Sequence, residues 1–140
     1  MNKLKTAVFT LMVLFSLQPQ AGEREVQAWT KVNEGALLID VRTTEEFTQK
    51  HLPNSLHIPY QQIAVNLRDQ QIPLDREIVL YCRSGHRAGL AEAALKQAGY
   101  QRIYNAGGLV PLLQQQQVQL LLLVVQQPTL HLKQPHSFHQ

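Results

Sequence analysis
The sequence predicts an α/β fold in which a parallel sheet carries helices on both faces. Three observations predict it. Apolar runs too short for helices recur at Ala36–Val41, Glu77–Tyr81 and Ile103–Tyr104. Helical patterns fall between them, at Thr43–Lys50 and Ala88–Ala98. Strand and helix therefore alternate, the pattern of a sheet whose neighbours are joined by helical crossovers.

Composition sets outer bounds. The chain has 140 residues, room for one domain. It is 44% hydrophobic and 16% charged, a globular balance. The formal charge is +3, with no basic stripe interleaved with aromatics, so nucleic acid is not an expected partner. One cysteine excludes an internal disulfide and a cysteine-based metal cluster.

Residues 1–21 read as a secretory signal. Lys3 and Lys5 form a positive start, and Thr6–Leu17 is an apolar core, shorter than the roughly 20 residues of a membrane span. Gln18-Pro19-Gln20-Ala21 offers cleavage after Ala21, although Pro19 is not the small residue such a site prefers. A mature chain beginning at Gly22 loses Lys3 and Lys5 and keeps eleven basic against ten acidic residues. The expected location is the periplasm, with no stable membrane association after cleavage.

Arg24–Asn33 predicts a short helix, because Val26, Trp29 and Val32 repeat every third residue and Gly35 stops the pattern. Trp29 is expected to pack rather than to stack on a ligand. Ala36–Val41 is a strand. Thr43 with Glu46 is a capping box that opens a helix to Lys50, with Phe47 turned inward. Residues 60–75 are polar around Ile63, Val65 and Leu67, and suggest a surface helix, then a loop closed by Pro73.

Glu77–Tyr81 is a buried strand rich in β-formers. The helix after it places residues 88, 91, 94, 95 and 98 on one face and stops at Gly99. Between strand and helix lies Cys82-Arg83-Ser84-Gly85-His86-Arg87. A loop that feeds a helix aims backbone N–H groups inward, and the helix start adds partial positive charge. Arg83 and Arg87 add full charges. Both effects favour a thiolate. A core cysteine does not sit among two arginines, a histidine, a serine and a glycine, so Cys82 reads as a reactive nucleophile facing an anionic substrate.

This loop resembles the active-site loop of rhodaneses, Cys-Arg-x-Gly-x-Arg or -Thr, at Cys82, Arg83, Gly85 and Arg87. Two further stretches resemble the same family. One runs Leu38-Ile39-Asp40-Val41-Arg42 to Glu46-Phe47, then His51-Leu52-Pro53-Asn54-Ser55-Leu56-His57-Ile58-Pro59. There Lys50 and Asn54 stand where the family has glycine, and His57 where it has asparagine. Asn54 tolerates the left-handed turn. The other is Asn105-Ala106-Gly107-Gly108. The resemblance spans roughly Val26 to Leu109 and implies a rhodanese-like parallel sheet over 22–109.

The resemblance also implies the chemistry. Cys82 would be the catalytic residue, taking a sulfane sulfur from thiosulfate and holding it as a persulfide. Arg83, Ser84, Gly85, His86 and Arg87 would bind the anionic donor. A thiophilic acceptor, cyanide or a small thiol, would remove the sulfur. No cofactor or metal is implied, and a monomer is expected. Asp40 and Arg42 would hold loops at a strand end.

The rival readings are a cysteine-based phosphatase or arsenate reductase, and a non-catalytic module of the same fold. A phosphatase loop puts five residues between cysteine and arginine, whereas four separate Cys82 from Arg87. The shorter loop suits sulfur better than phosphate. An intact Cys82 argues against the inactive module. By residue type, Asp40 and His51 could serve Cys82 as in a cysteine hydrolase, but local hydrogen bonding is the preferred role of His51 and His57.

Val110–Gln140 breaks in composition. It holds no acidic residue, one lysine, the run Gln114–Gln117 and the run Leu120–Val125. It reads as a low-complexity tail, poorly ordered or loosely packed, either from a shifted reading frame or native and divergent. His131, His136 and His139 would bind metal weakly at most.

Overall fold
The computed structural model describes residues 22–126. The expected signal at 1–21 and the histidines of 127–140 lie outside the described residues. Helix α1 is Glu23–Asn33. Strand β1 is Leu37–Asp40, helix α2 Thr44–Gln49 and strand β2 Leu56–His57. A 3₁₀ turn at Tyr60–Gln62 leads into α3, Ile63–Asp69. Strand β3 is Ile78–Cys82, helix α4 His86–Gln97, strand β4 Ile103–Gly108 and helix α5 Leu109–Val125.

The sheet is parallel throughout, in the order β2-β1-β3-β4. Strand β3 is buried along its whole length, as a strand covered on both faces must be. Its side chains alternate. Ile78, Leu80 and Cys82 join Ile63, Leu67, Ala88, Ala91 and Leu95 on the α3–α4 side. Val79 and Tyr81 join Ala28, Trp29, Leu52, Leu109 and Leu112 on the α1–α5 side. The helical face expected of α4 is thus the face that packs.

Local chemistry fixes the joints. Thr43 and Glu46 close the expected capping box at the start of α2. Asn54 takes the left-handed conformation, φ 59°, that its position demands. Tyr81 reaches across from β3: its hydroxyl accepts the Leu52 N–H at 3.1 Å and pairs with Ser55 Oγ at 3.0 Å. Burial pushes the Tyr81 phenol up to about 12, so it stays a neutral hydrogen-bonding group.

The structure departs from the sequence reading in four places. Phe47 is only half buried, stacked against His51 and His57, because α2 lies at the edge of the fold. A two-residue strand, β2, was not legible in Leu56–His57. Asn105–Gly108 is strand rather than turn. Between Leu80 and Cys82, β3 advances two residues while β4 advances three, from Asn105 to Gly108, which makes a bulge.

The fourth departure is at the expected tail. Its first half is helix α5, not loose chain. Leu109, Leu112 and Gln115 are buried at i, i+3 and i+6, and Trp29 Nε1 donates to the Leu112 carbonyl at 2.9 Å. The low-complexity composition conceals an ordinary helical stripe. Beyond it, Leu120–Val125 are all more than half exposed. No described helix is long and apolar enough to cross a membrane.

Candidate functional site
Cys82 ends β3, and the chain turns at once into α4. The turn needs Gly85, which adopts φ 95° as the residue before the helix. Its N–H thereby points back and donates to Cys82 Sγ at 3.0 Å. Burial alone pushes the Cys82 thiol up. The backbone N–H groups of Ala88, Ser84, Gly85 and Arg87 converge on the sulfur and prevail, holding it below the ordinary thiol value. The result is a buried sulfur that is stabilised as an anion.

The bulged strand braces this loop. Asn105 Nδ2 donates to the Gly85 carbonyl at 3.0 Å, and Asn105 Oδ1 accepts the Gly107 N–H at 3.0 Å. Gly108 lies so close that a Cβ there would stand 2.7 Å from the Arg83 carbonyl oxygen. A side chain at 108 would push the loop open.

The six expected site residues run from the end of β3 through the loop into the first turn of α4, but they do not all face the same way. Arg83, Ser84 and His86 are exposed, Gly85 is buried, and Arg87 is half buried. Arg87 was expected to hold the donor directly. Both of its terminal nitrogens instead bind Glu46, Nη1 to Oε2 at 2.6 Å and Nη2 to Oε1 at 2.8 Å. Glu46 raises the guanidinium pKa, and the nearby Cys82 sulfur adds to the effect. Arg87 therefore stands between a fixed carboxylate and the nucleophile.

Three contributors escaped the sequence reading. Glu46 was legible only as a helix cap. Asn105 was read as a turn residue. Arg24, on α1, lays its guanidinium beside the loop, with Nη1 3.8 Å from where a Gly85 Cβ would stand. Nothing in the spacing of Arg24 announces this.

Asp40 and the histidines do not assemble with Cys82 as a hydrolase would require. Asp40 grips the Arg42 side chain through both carboxylate oxygens, at 2.6 to 3.0 Å. Arg42 also donates to the Lys50 carbonyl at 2.6 Å, so the pair ties β1 to the end of α2. His51 Nδ1 pairs with the Phe47 carbonyl oxygen and His57 Nε2 with that of Arg42. Among the described residues no three His, Cys, Asp or Glu side chains gather as metal ligands would.

A cleft of about 360 Å³ opens beside the loop, lined by Arg42, Glu46, Gln49, Arg83, Leu109 and Val110. A larger one, about 470 Å³, lies at the other end of the sheet, around Lys31, Glu77 and Arg102. There Lys31 and Arg102 both pair with Glu77, and no nucleophile is present. Of the two, the smaller cleft is the one beside the Cys82 loop, with Arg83 in its wall.

Residues 25–111 match the model of the rhodanese-like domain. The chain belongs to this family. It is 42% identical over 78 residues to a sulfurtransferase of Allochromatium vinosum, covering 55% of this chain and 71% of that one. It is 29% identical over 105 residues to the thiosulfate sulfurtransferase PspE of Escherichia coli, covering 75% of this chain and 88% of the relative. Among solved structures, a rhodanese with anions from E. coli superposes with a TM-score of 0.52 at 28% identity, over 55% of this chain and 91% of that one. The human single-domain sulfurtransferase TSTD1, at 24% identity and a TM-score of 0.53, shares the fold. It is matched over 66% of this chain and 92% of its own. At the level of the family, sulfur transfer is the activity these relatives carry in their names.

Proposed function
We propose that this chain is a thiosulfate sulfurtransferase working through a Cys82 persulfide. The observation that carries the reading is the buried Cys82 sulfur at the end of β3, which accepts the Gly85 N–H at 3.0 Å just before α4 begins. The thiolate attacks the outer sulfur of thiosulfate. A new S–S bond forms, the old one breaks, and sulfite leaves with the electron pair. Departing negative charge is met by the loop N–H groups and by Arg83 at the loop's surface. Cyanide or a thiol then removes the outer sulfur and returns Cys82 to the thiolate. The names of the similar sulfurtransferases support this class of reaction.

The loop geometry favours sulfur over phosphate. A phosphatase loop presents a free arginine to two phosphate oxygens. Here Arg87 already gives both terminal nitrogens to Glu46. The reaction is placed outside the cytoplasm, after removal of residues 1–21. N-terminal sequencing of the exported protein should find Gly22 first.

Intact-mass measurement after incubation with thiosulfate tests the reading. One extra sulfur should appear on Cys82, and Cys82→Ser should neither gain it nor transfer sulfur. If the protein hydrolyses an aryl phosphate faster than it transfers sulfur from thiosulfate, the reading is wrong.

A further inference from the structure
We propose that two copies of this chain pair through the last two turns of α5, the run Leu120–Val125. The proposal stands apart from the reaction and concerns a surface that sulfur transfer does not use.

The way α5 runs off the domain carries it. One face of the helix holds Leu112, Gln116, Gln119 and Leu123, spaced i, i+4, i+7 and i+11. Leu112 is buried, Gln116 and Gln119 are half buried, and Leu123 is 61% exposed. The face that packs beside Trp29 at its start has left the domain at its end. The opposite face is apolar there as well. Val118, Leu121, Leu122 and Val125, at i, i+3, i+4 and i+7, are 45% to 73% exposed. A helix end that is apolar all round is normally a buried one. With each residue of Leu120–Val125 more than half exposed, the run leaves on the order of 600 Å² in water, the top of the range for the largest patch on an ordinary monomer.

Charge and composition name the occupant. A two-fold contact lays the same patch of each copy on the other, so net charge on the patch would meet its own image. Helix α5 carries no charged side chain from Leu109 to Val125 and is free of that repulsion. Gln114–Gln117 give the seam a neutral polar rim. A membrane surface fits less well. Helices that lie in that interface carry Lys or Arg on a polar face, and α5 has neither. Residues 127–140 fit less well too. Only Leu130, Leu132 and Phe138 are large and apolar there, too few to cover six residues on every side.

Covering the run on both copies removes at most about 1,200 Å² from water, the lower end for a specific interface. An area of that size goes with a weak pair, and a micromolar Kd is expected. Dilute protein is then monomeric and has the stability of the single domain.

Sedimentation velocity of the exported protein, from low to high micromolar concentration, tests the proposal. The mean mass should climb from one protomer to two and stop there. Leu121→Lys brings a cation to the seam from each copy and should raise the Kd at least about tenfold. The chain ending at Gln119 should stay at one protomer throughout. Trp29 emission, unchanged in both variants, shows that the domain itself is intact. One protomer at every concentration overturns the proposal, whether the run is then covered by residues 127–140 or by a foreign protein. Growth past two protomers overturns it as well, and so does a pair that survives the truncation. Binding of the unaltered protein to vesicles of phosphatidylethanolamine and phosphatidylglycerol, lost on truncation and with no pairing, assigns the run to a membrane instead. None of these outcomes bears on the loading of sulfur onto Cys82.

Discussion

Glu46 holds Arg87 through both carboxylate oxygens while its Oε2 also accepts the Thr43 N–H at 3.1 Å. One side chain thus caps α2 and fixes the arginine that closes the Cys82 loop. The two side chains keep 24% and 28% exposure, so the pair lies nearer the surface limit than the buried one. Glu46→Ala should cost about 1 kcal/mol of stability. Its effect on activity should be larger, because Arg87 is left free to swing away from the sulfur. We expect kcat/KM for thiosulfate to fall by about 1.5–3 kcal/mol, the worth of a hydrogen bond to a charged group. Glu46→Gln should recover stability more than activity. Equal recovery of both would mean the pair is structural only.

The same pair sets an acid limit. Hydrogen bonding from Arg87 holds the Glu46 carboxyl at about 2, well below its ordinary 4.5. The folded value lies below the unfolded one, so the contribution to stability is full above the unfolded value. It is lost as pH falls from about 4.5 toward about 2. Urea unfolding of the unaltered protein and of Glu46→Gln should therefore differ at neutral pH and converge across that window. A constant gap down to the lowest pH would contradict the assignment.

How much of this was legible depended on range. Thr43 and Glu46 are three residues apart, and their capping box was readable as sequence. Glu46 and Arg87 are 41 apart, and no spacing rule says that a helix start will meet that loop. Cys82 and its flanking residues were readable because strand, loop and helix are contiguous there. The bracing by Asn105 was not, since a bulge looks like a turn when its partner strand is unknown. Leu109, Leu112 and Gln115 do carry a helical period. It was hidden by surrounding leucine and glutamine, which repeat without regard to face. Lacking charges to mark an outer side, the segment read as a tail.

Gly85 gives a direct test of the sulfur's environment. Alanine there must adopt φ 95°, at a cost of about 1–2 kcal/mol. Its Cβ would also stand 3.2 Å from the Gly107 Cα, a backbone atom with little room to move. The loop should open and withdraw the Gly85 N–H from Cys82. In the unaltered protein, alkylation by iodoacetamide should titrate below the ordinary thiol value. In Gly85→Ala the midpoint should rise toward that value. An unchanged midpoint would show that the Gly85 N–H does not stabilise the thiolate.

Asp40 and Arg42 form the buried ion pair that ties β1 to α2. Asp40 is fully buried and the Arg42 side chain retains 7% exposure. Removing the carboxylate strands a guanidinium in the interior. Asp40→Ala should cost about 3–5 kcal/mol, far more than loss of a surface pair. Urea unfolding measures it directly, and a loss under about 1 kcal/mol would mean that water reaches Arg42 freely.

Helix α5 divides into a packed half and an exposed half, and truncation should separate them. Leu109 and Leu112 bury their side chains against Trp29, Leu52 and Tyr81. Each contributes about 1.5–3 kcal/mol by leaving water. A chain ending at Gly108 should therefore lose roughly 3–6 kcal/mol from these two side chains, and it uncovers Trp29. A chain ending at Gln119 keeps Leu109, Leu112 and Gln115 and, among the described residues, removes Leu120–Val125, which are 55% to 73% exposed, and Gln126. Its stability should stay within about 1 kcal/mol of the full chain, since these leucines gain little by folding. Trp29 is the only tryptophan, so its emission reports the α5 interface without labelling. The emission should shift to the red in the chain ending at Gly108 and stay unchanged in the chain ending at Gln119. If both truncations are equally stable and both leave the emission where it was, the contact between α5 and Trp29 does not contribute to the core.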